Sequence, residues 1–407
     1  MAYNRKQRLN DNIKAIETAF ILDREQRTPT ARERLLLERY CGFGGLKCIL
    51  NPARELADAV HWAKSDLELF APTVELHRLI RENSKNESEY KQLMDSLKQS
   101  VLTAFYTPSA VTEALTDVLK EHQIIPEKVL EPSAGIGAFV DSVLDNNPKA
   151  DIMAFEKDLL TGKILRHLHP EQKVRIEGFE KIEKPFNDYF DLAISNIPFG
   201  DVAVFDPSYT AMKGMRALVT RRIHNYFFVK ALDTVRDGGL VAFITSQGVL
   251  NAKNNSAARF MMLYHADLVS AIRLPNNLFT ENANTEVGSD LIILQKNSQK
   301  ESLRGDDNLL DTVYNDENRI PTNNYFLEHP ERIIHTTAKL DTDPFGKPAM
   351  IYTHEDGVEG IAEDLRKMLH EDFKKNLNLN RYLGIEETMS EEVKEVEETE
   401  KIEKTEK

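Results

Sequence analysis

Between Lys128 and Leu294, short apolar runs alternate with stretches long enough for a helix, and that alternation leaves few folds open. The runs are Lys128–Glu131, Asp151–Phe155, Asp191–Ile194, Leu240–Ile244, Leu268–Ile272 and Asp290–Leu294. Each is too short for a buried helix and apolar enough for a strand covered on both faces. One connecting stretch carries a helical face, Phe227, Phe228, Ala231, Leu232 and Val235, before Gly238–Gly239 as an expected stop. Strands separated by helices predict an α/β fold with a doubly wound, mostly parallel sheet. Ligands of such sheets bind beyond the carboxyl ends of the strands, so the residues that follow each run carry the functional information.

The first run ends in Glu131-Pro132-Ser133-Ala134-Gly135-Ile136-Gly137. Gly135 and Gly137 allow the backbone to approach a ligand closely. The pattern lacks the third glycine of a dinucleotide site, and Glu131 at the turn would repel phosphate. It favours a nucleoside ligand that carries an amino group. Glu156 ends the second run about 20 residues after Gly135, the spacing at which such folds bind ribose hydroxyls. Phe179, in Gly178-Phe179-Glu180, is either a stacking face for an adenine ring or a core residue. The third run ends in Asn196-Ile197-Pro198-Phe199-Gly200, where Pro198 and Gly200 stop the ladder. Read alone, this is an Asn-initiated turn; beside the neighbouring signals it delivers an asparagine and an aromatic ring to a sheet edge.

Upstream, Phe105-Tyr106-Thr107-Pro108 opens a helix, with Thr107 as the expected N-cap and Val111, Ala114, Leu115, Val118 and Leu119 on one face. Residues 1–100 read as a helical N-terminal region, interrupted by the glycine-rich Tyr40–Leu46, which we take as a structural turn rather than a phosphate loop. Residues 101–300 hold the sheet. Residues 301–385 form a C-terminal region of uncertain fold, with a short helix around Ile361, Leu365 and Met368, and the Glu/Lys run 386–407 reads as a disordered acidic tail.

That tail bears on the partners. The net charge of −14 argues against a nucleic-acid surface. Its ten Glu and four Lys account for −6, which leaves the rest of the chain at −8 and requires any DNA contact to be local. Lys213, Arg216, Arg221, Arg222 and His224 form such a cluster, read either as phosphate contacts or as solvated surface. No apolar run approaches the roughly 18–20 residues that span a bilayer, and the first twenty residues hold no signal-like apolar stretch. A cytoplasmic protein with no membrane partner is expected. Cys41 and Cys48 fit neither a disulfide framework nor zinc spacing, so reduced thiols and no metal site are expected.

Taken in order, Thr107-Pro108, Glu131–Gly137, Glu156 and Asn196–Phe199 resemble the motifs of gamma-class, S-adenosylmethionine-dependent, adenine-specific DNA methyltransferases, across roughly residues 101–296. The Leu274-Pro275-Asn276-Asn277-Leu278-Phe279 loop and Thr245-Ser246 look like type I modification subunits. Tyr40–Leu46 followed by Ala104–Pro108 is similar to the methylase portion of mobile-element methylase-helicase proteins. The resemblance implies a Rossmann-like methyltransferase fold, S-adenosylmethionine as cofactor, DNA as substrate, and a specificity or restriction subunit as a possible partner. It implies Asn196, Ile197, Pro198 and Phe199 as catalytic, and Thr107, Glu131, Pro132, Gly135, Gly137, Glu156 and Phe179 as cofactor-binding. Phe199, Phe279, Arg221 and Arg222 would contact the substrate. Two departures stand out: Ile197 replaces the family's proline, and Glu180 lies one position late for the acid that commonly accompanies Phe179. Methylation of RNA or of a protein glutamine, and a non-catalytic anti-restriction or regulatory role, are the alternatives.

Overall fold

The computed structural model describes residues 4–103, 106–212, 214–280, 286–303, 307–314, 319–343 and 346–385. The acidic run 386–407, Lys213 and the Ala104-Phe105 pair lie outside the described residues. A seven-stranded sheet of order β3-β2-β1-β4-β5-β7-β6 forms the centre. Its strands are β1 Lys128–Glu131, β2 Asp151–Phe155, β3 Lys173–Arg175, β4 Phe190–Asn196, β5 Val235–Ser246, β6 Ala266–Leu274 and β7 Ser289–Lys296. All pairings from β3 through β5 are parallel, whereas β7 runs antiparallel to both β5 and β6. This is the doubly wound α/β architecture that the alternation predicts. Leu192–Ile194, Leu240–Ile244 and Leu291–Leu294 are all fully buried, which explains why these strands read as continuous apolar runs.

Among the described residues, four α-helices make up the N-terminal region: α1 Arg5–Glu25, α2 Ala31–Leu37, α3 Phe70–Glu82 and α4 Glu87–Thr103. They are followed by α5 Ser109–Glu121, α6 Ala138–Asn146 and α7 Leu159–Leu168. α5, α6 and the later helix Gly357–Asn376 bury their apolar faces in one cluster on one side of the sheet. The helices Ile223–Thr234 and Ser256–His265 supply the cluster on the other. A third cluster joins the N-terminal helices to Leu160, Ile164 and Leu168 of α7.

Polar contacts fasten that N-terminal region in place. Asp23 of α1 accepts from Lys163 and from Arg166 at 3.0 Å, with the His167 ring at 2.9 Å. The glycine-rich turn is folded around Asn12, which donates to Gly42 O at 2.6 Å and accepts from Cys41 N at 2.9 Å. Ser96 of α4 donates to Asp158 Oδ2 at 2.5 Å and accepts from Leu160 N at 3.0 Å. Asp158 in turn caps α7 through Thr161 N at 2.7 Å. Ser96→Ala removes a donor from this buried carboxylate, so we expect a loss of ~1–3 kcal/mol in urea unfolding. No change in stability would show that α4 merely rests on α7.

Three local expectations need correction. Thr107 is not the cap of α5: the helix starts at Ser109, Pro108 occupies the N-cap position, and no side chain caps it. The Gly238–Gly239 pair does not end a helix. The helix stops at Thr234 and β5 begins at once, with the pairing to β4 stepping from Phe190↔Val235 to Leu192↔Leu240. Gly238, at φ +75°, makes that irregular step, and a Cβ there would lie 2.2 Å from Arg381 O. The C-terminal helix is longer than its weak pattern suggests. It spans Gly357–Asn376 and buries Ile361, Leu365, Leu369 and Phe373 at helical spacing.

Candidate active site

The chain order reverses direction across the sheet between β1 and β4, and a cavity of about 630 Å³ opens at the carboxyl ends of the strands there. Its lining includes Thr107, Glu131, Pro132, Gly135, Glu156, Phe179 and the whole Asn196–Phe199 segment. Gly137, Phe279, Arg221 and Arg222 are not part of that lining.

The wall nearest β1 is shaped by backbone. Ala134 N donates to Phe155 O and Gly137 N to Ala134 O, both at 2.8 Å. Gly135 and Gly137 hold φ of +57° and +95°, which side chains disfavour. A Cβ at Gly135 would lie 2.8 Å from the Tyr106 ring, and one at Gly137 would lie 2.5 Å from His169 Nε2. Neither Tyr106 nor His169 stands out in the sequence. Tyr106 has a weak signal, its place beside Thr107; His169 has none, because α7 carries it to the loop.

Glu131 is only 2% exposed, and its Oε2 has no hydrogen-bond partner among the described residues. Burial, with the Glu156 and Asp141 carboxylates nearby, pushes its carboxyl well above the usual carboxylate range. Thr107 Oγ1 is likewise buried and without a partner among the described residues, as expected once the residue no longer caps α5. Buried polar atoms left unpaired are costly, and both of these residues border the cavity. A ligand ammonium is the group that would satisfy the carboxylate.

Glu156 accepts from Gly135 N at 2.8 Å and from Asp158 N at 2.7 Å, so it also ties the glycine loop to β2. Burial and the Asp158 charge push its carboxyl up from 4.5 to about 8. The folded state therefore holds a proton there that the unfolded state has already lost. Stability of the ligand-free protein is expected to fall as pH rises from about 4.5 through about 8. Glu156→Gln should flatten that part of the profile, read by thermal melting between pH 5 and 9; an unchanged slope would place the titration elsewhere.

At the end of β4, Asn196 pairs in register with Ile244 and is partly exposed. Ile197 N donates to Ile244 O at 3.0 Å, a bond that a proline at this position cannot make. The Ile197 side chain is 1% exposed and sits in the cluster that contains Leu130, Phe155, Phe179 and Phe227. Ser195 Oγ reaches Ser133 O at 3.2 Å and joins this strand end to the glycine loop.

The aromatic residues divide. Phe199 lines the cavity, while Phe279 is fully buried and packs edge-on against it, with centroids 6.3 Å apart and planes at 77°. Phe279 thus backs Phe199 instead of facing the cavity. Its turn is closed by Asn276 Oδ1, which accepts from Tyr352 N at 3.0 Å, and by Asn277 Nδ2, which donates to His354 O at 3.0 Å. Phe179 combines both readings: it lines the cavity and is 1% exposed, with its centroid 5.3 Å from Phe227. Glu180, set aside by sequence as displaced, also lines the cavity. Its carboxylate folds back over Gly178, where a Cβ would lie 2.2 Å from Oε2.

The basic cluster is mostly committed to internal partners. Arg216 pairs with Asp233 at 2.6 Å, Arg222 pairs with Asp201 at 2.7 Å and donates to Asn255 Oδ1 at 2.6 Å, and His224 is buried. Arg221 is exposed.

A family model described as N-6 DNA Methylase matches residues 88–390. "Defense against restriction protein B" of Escherichia phage P1 is 29% identical over 201 residues, which cover 48% of this chain and 8% of that protein. "Type II methyltransferase M.XamI" of Xanthomonas campestris pv. amaranthicola is 25% identical over 173 residues, 39% of this chain and 33% of that one. The chain thus spans at most about a third of the length of these relatives. Among solved structures, a type I restriction-modification methyltransferase subunit from Streptococcus thermophilus aligns over 92% of this chain and 94% of its own, at 12% identity and a TM-score of 0.41.

Proposed function

From a chain that belongs to the N-6 DNA methylase family, we propose an enzyme that transfers a methyl group from S-adenosylmethionine to the N6 amine of a DNA adenine flipped out of the helix. The observation that carries this reading is the shared cavity: Glu131, a buried carboxyl with one oxygen unpartnered among the described residues, and the Asn196–Phe199 segment open into the same space.

The residues present fit the cofactor. Glu131 would face the methionyl ammonium, Thr107 the methionyl end, the Gly135–Gly137 backbone its body and Glu156 the ribose hydroxyls. Phe179 and Glu180 would border its adenine. When bound, the cofactor supplies an electrophilic methyl group on a sulfonium.

This chain's own residues act on the nucleophile. An adenine amine is a weak nucleophile, because its lone pair is delocalised into the ring. The Asn196 side-chain oxygen and the Ile197 carbonyl would each accept one of its hydrogens, which favours a tetrahedral nitrogen with a localised lone pair. Phe199 would support one face of the base, with Phe279 bracing that ring from behind. These contributions are positioning and electrostatics, with no covalent enzyme adduct.

Tritiated S-adenosylmethionine, incubated with the purified full chain and with separate pools of unmethylated DNA, RNA and protein, tests the reading. Label in N6-methyladenine of DNA is expected. Label confined to RNA or protein, or none despite cofactor binding, would overturn it. A restriction-linked or mobile-element role, with a specificity or restriction subunit as partner, belongs to the same proposal.

A further inference from the structure

The segment leaving Phe199 carries an aromatic ring that the mechanism above does not use. Phe205 lines the cavity and yet is 78% exposed, so its ring stands where the cavity meets solvent. Val202, 60% exposed, also lines it.

An exposed ring on a loose loop would mean little, but this backbone is pinned on both sides of the ring. Asp201 is held by Arg222 at 2.7 Å, and Val204 N donates to Thr220 O at 2.8 Å. Asp206, 3% exposed, accepts from Ser208 N at 2.8 Å and Tyr226 Oη at 2.7 Å, with Lys230 Nζ at 3.4 Å. The Val204–Thr220 bond also sets Arg221 close by, one residue beyond Thr220; among the described residues it has no ion pair. An apolar ring on a pinned backbone therefore stands at the mouth of the cavity that holds Asn196, with an exposed guanidinium one residue beyond the Val204–Thr220 bond.

We propose that Phe205 is a wedge: as the target adenine leaves the duplex, this ring enters the stack and covers the base faces that the departure exposes, while Arg221 holds a neighbouring phosphate. The inference rests on the proposed methyl transfer to a flipped adenine. Its physical basis is general. Flipping forfeits stacking on both neighbours, an inserted apolar side chain restores part of it, and a ring whose backbone is already held in place gives up little backbone freedom. Because Phe205 is so exposed, replacing it should leave the fold intact.

The test compares the full chain with Phe205→Ala, Phe205→Trp and Arg221→Ala. The methylated sequence is first mapped on genomic DNA labelled by the unaltered protein. Duplex oligonucleotides then present that adenine opposite thymine or opposite an abasic position, where it is already unpaired. Phe205→Ala should lose about 10–100-fold in kcat/KM on the paired duplex and less than about threefold on the abasic one. Phe205→Trp should stay within about threefold on both, and cofactor affinity should not change. Arg221→Ala should weaken binding to both duplexes equally and reduce the salt slope by about one. Equal rates for Phe205→Ala and the unaltered chain, or equal losses on both duplexes, would overturn the wedge. If the unaltered chain binds cofactor but labels no DNA, the underlying reading fails before any variant is compared, and the wedge falls with it.

Discussion

Asn196→Ala should lower the rate of methyl transfer by about 10²–10³-fold or more while leaving cofactor affinity within about threefold. The expected split follows from where Asn196 sits. It is the last residue of β4, partly exposed at the cavity, and its backbone is tied to β5 by the ladder pairing with Ile244 and by the neighbouring hydrogen bond from Ile197 N to Ile244 O. Truncating the side chain leaves that ladder in place, so the fold and the glycine loop should persist. What disappears is one of two acceptors for the adenine amine, and with it much of the electrostatic help for a nitrogen that must become tetrahedral. Asn196→Asp keeps an acceptor oxygen in position and should lose less. Single-turnover transfer from labelled cofactor measures the rate, and calorimetry measures the binding. A parallel loss of both would mean that Asn196 belongs to the cofactor wall instead.

The legible parts of this molecule are those set by local pattern. Strands buried on both faces have to be apolar throughout, so β4, β5 and β7 could be placed from composition along the chain alone. Glycines at positive φ and an acid at a fixed interval likewise leave a local trace, and Gly135 and Glu156 meet through the hydrogen bond that this spacing allows. What depended on distant partners was not legible. Arg222 looked available for phosphate, but Asp201 and Asn255 claim it. Phe279 looked like a second cavity face, and the hairpin strand Pro348–Thr353 helps to close its turn and bury it. The helix Gly357–Asn376 is charged over most of its surface, and its narrow apolar stripe gains meaning only against α5 and β6.

Ile197 shows both limits together. As a departure from the family's proline it lacks the ring that would fix φ at this position. In place it contributes a ladder hydrogen bond that proline lacks and an apolar side chain buried among Leu130 and Phe155. Rigidity that a ring would impose through φ is supplied here by pairing and packing. A single residue could not announce that, since Ile244, its partner, lies on another strand.

Glu131→Gln should act in opposite directions on binding and on stability. With the cofactor present, the substitution removes the buried charge proposed to meet the ammonium group. A loss of about 100-fold in affinity is expected, or ~2.8 kcal/mol at 1.4 kcal/mol per tenfold. Without the cofactor, the same carboxyl is a liability. It is 2% exposed, has an unpartnered Oε2, and its proton affinity is raised by burial and by Glu156. A carboxyl whose folded pKa lies above its unfolded value costs stability once pH exceeds the unfolded value, and the cost grows until the folded group also ionises. A neutral amide escapes that cost, so the ligand-free variant should melt higher than the unaltered protein at alkaline pH, and the difference should shrink toward pH 4.5. Calorimetric titration at pH 8 and thermal melts between pH 5 and 9 read the two effects separately. Unchanged affinity would remove Glu131 from the cofactor site. A ligand-free variant less stable at alkaline pH would mean that the carboxylate is satisfied by the protein itself. Only a site built to receive a cation is expected to become more stable and less useful when this one charge is taken away.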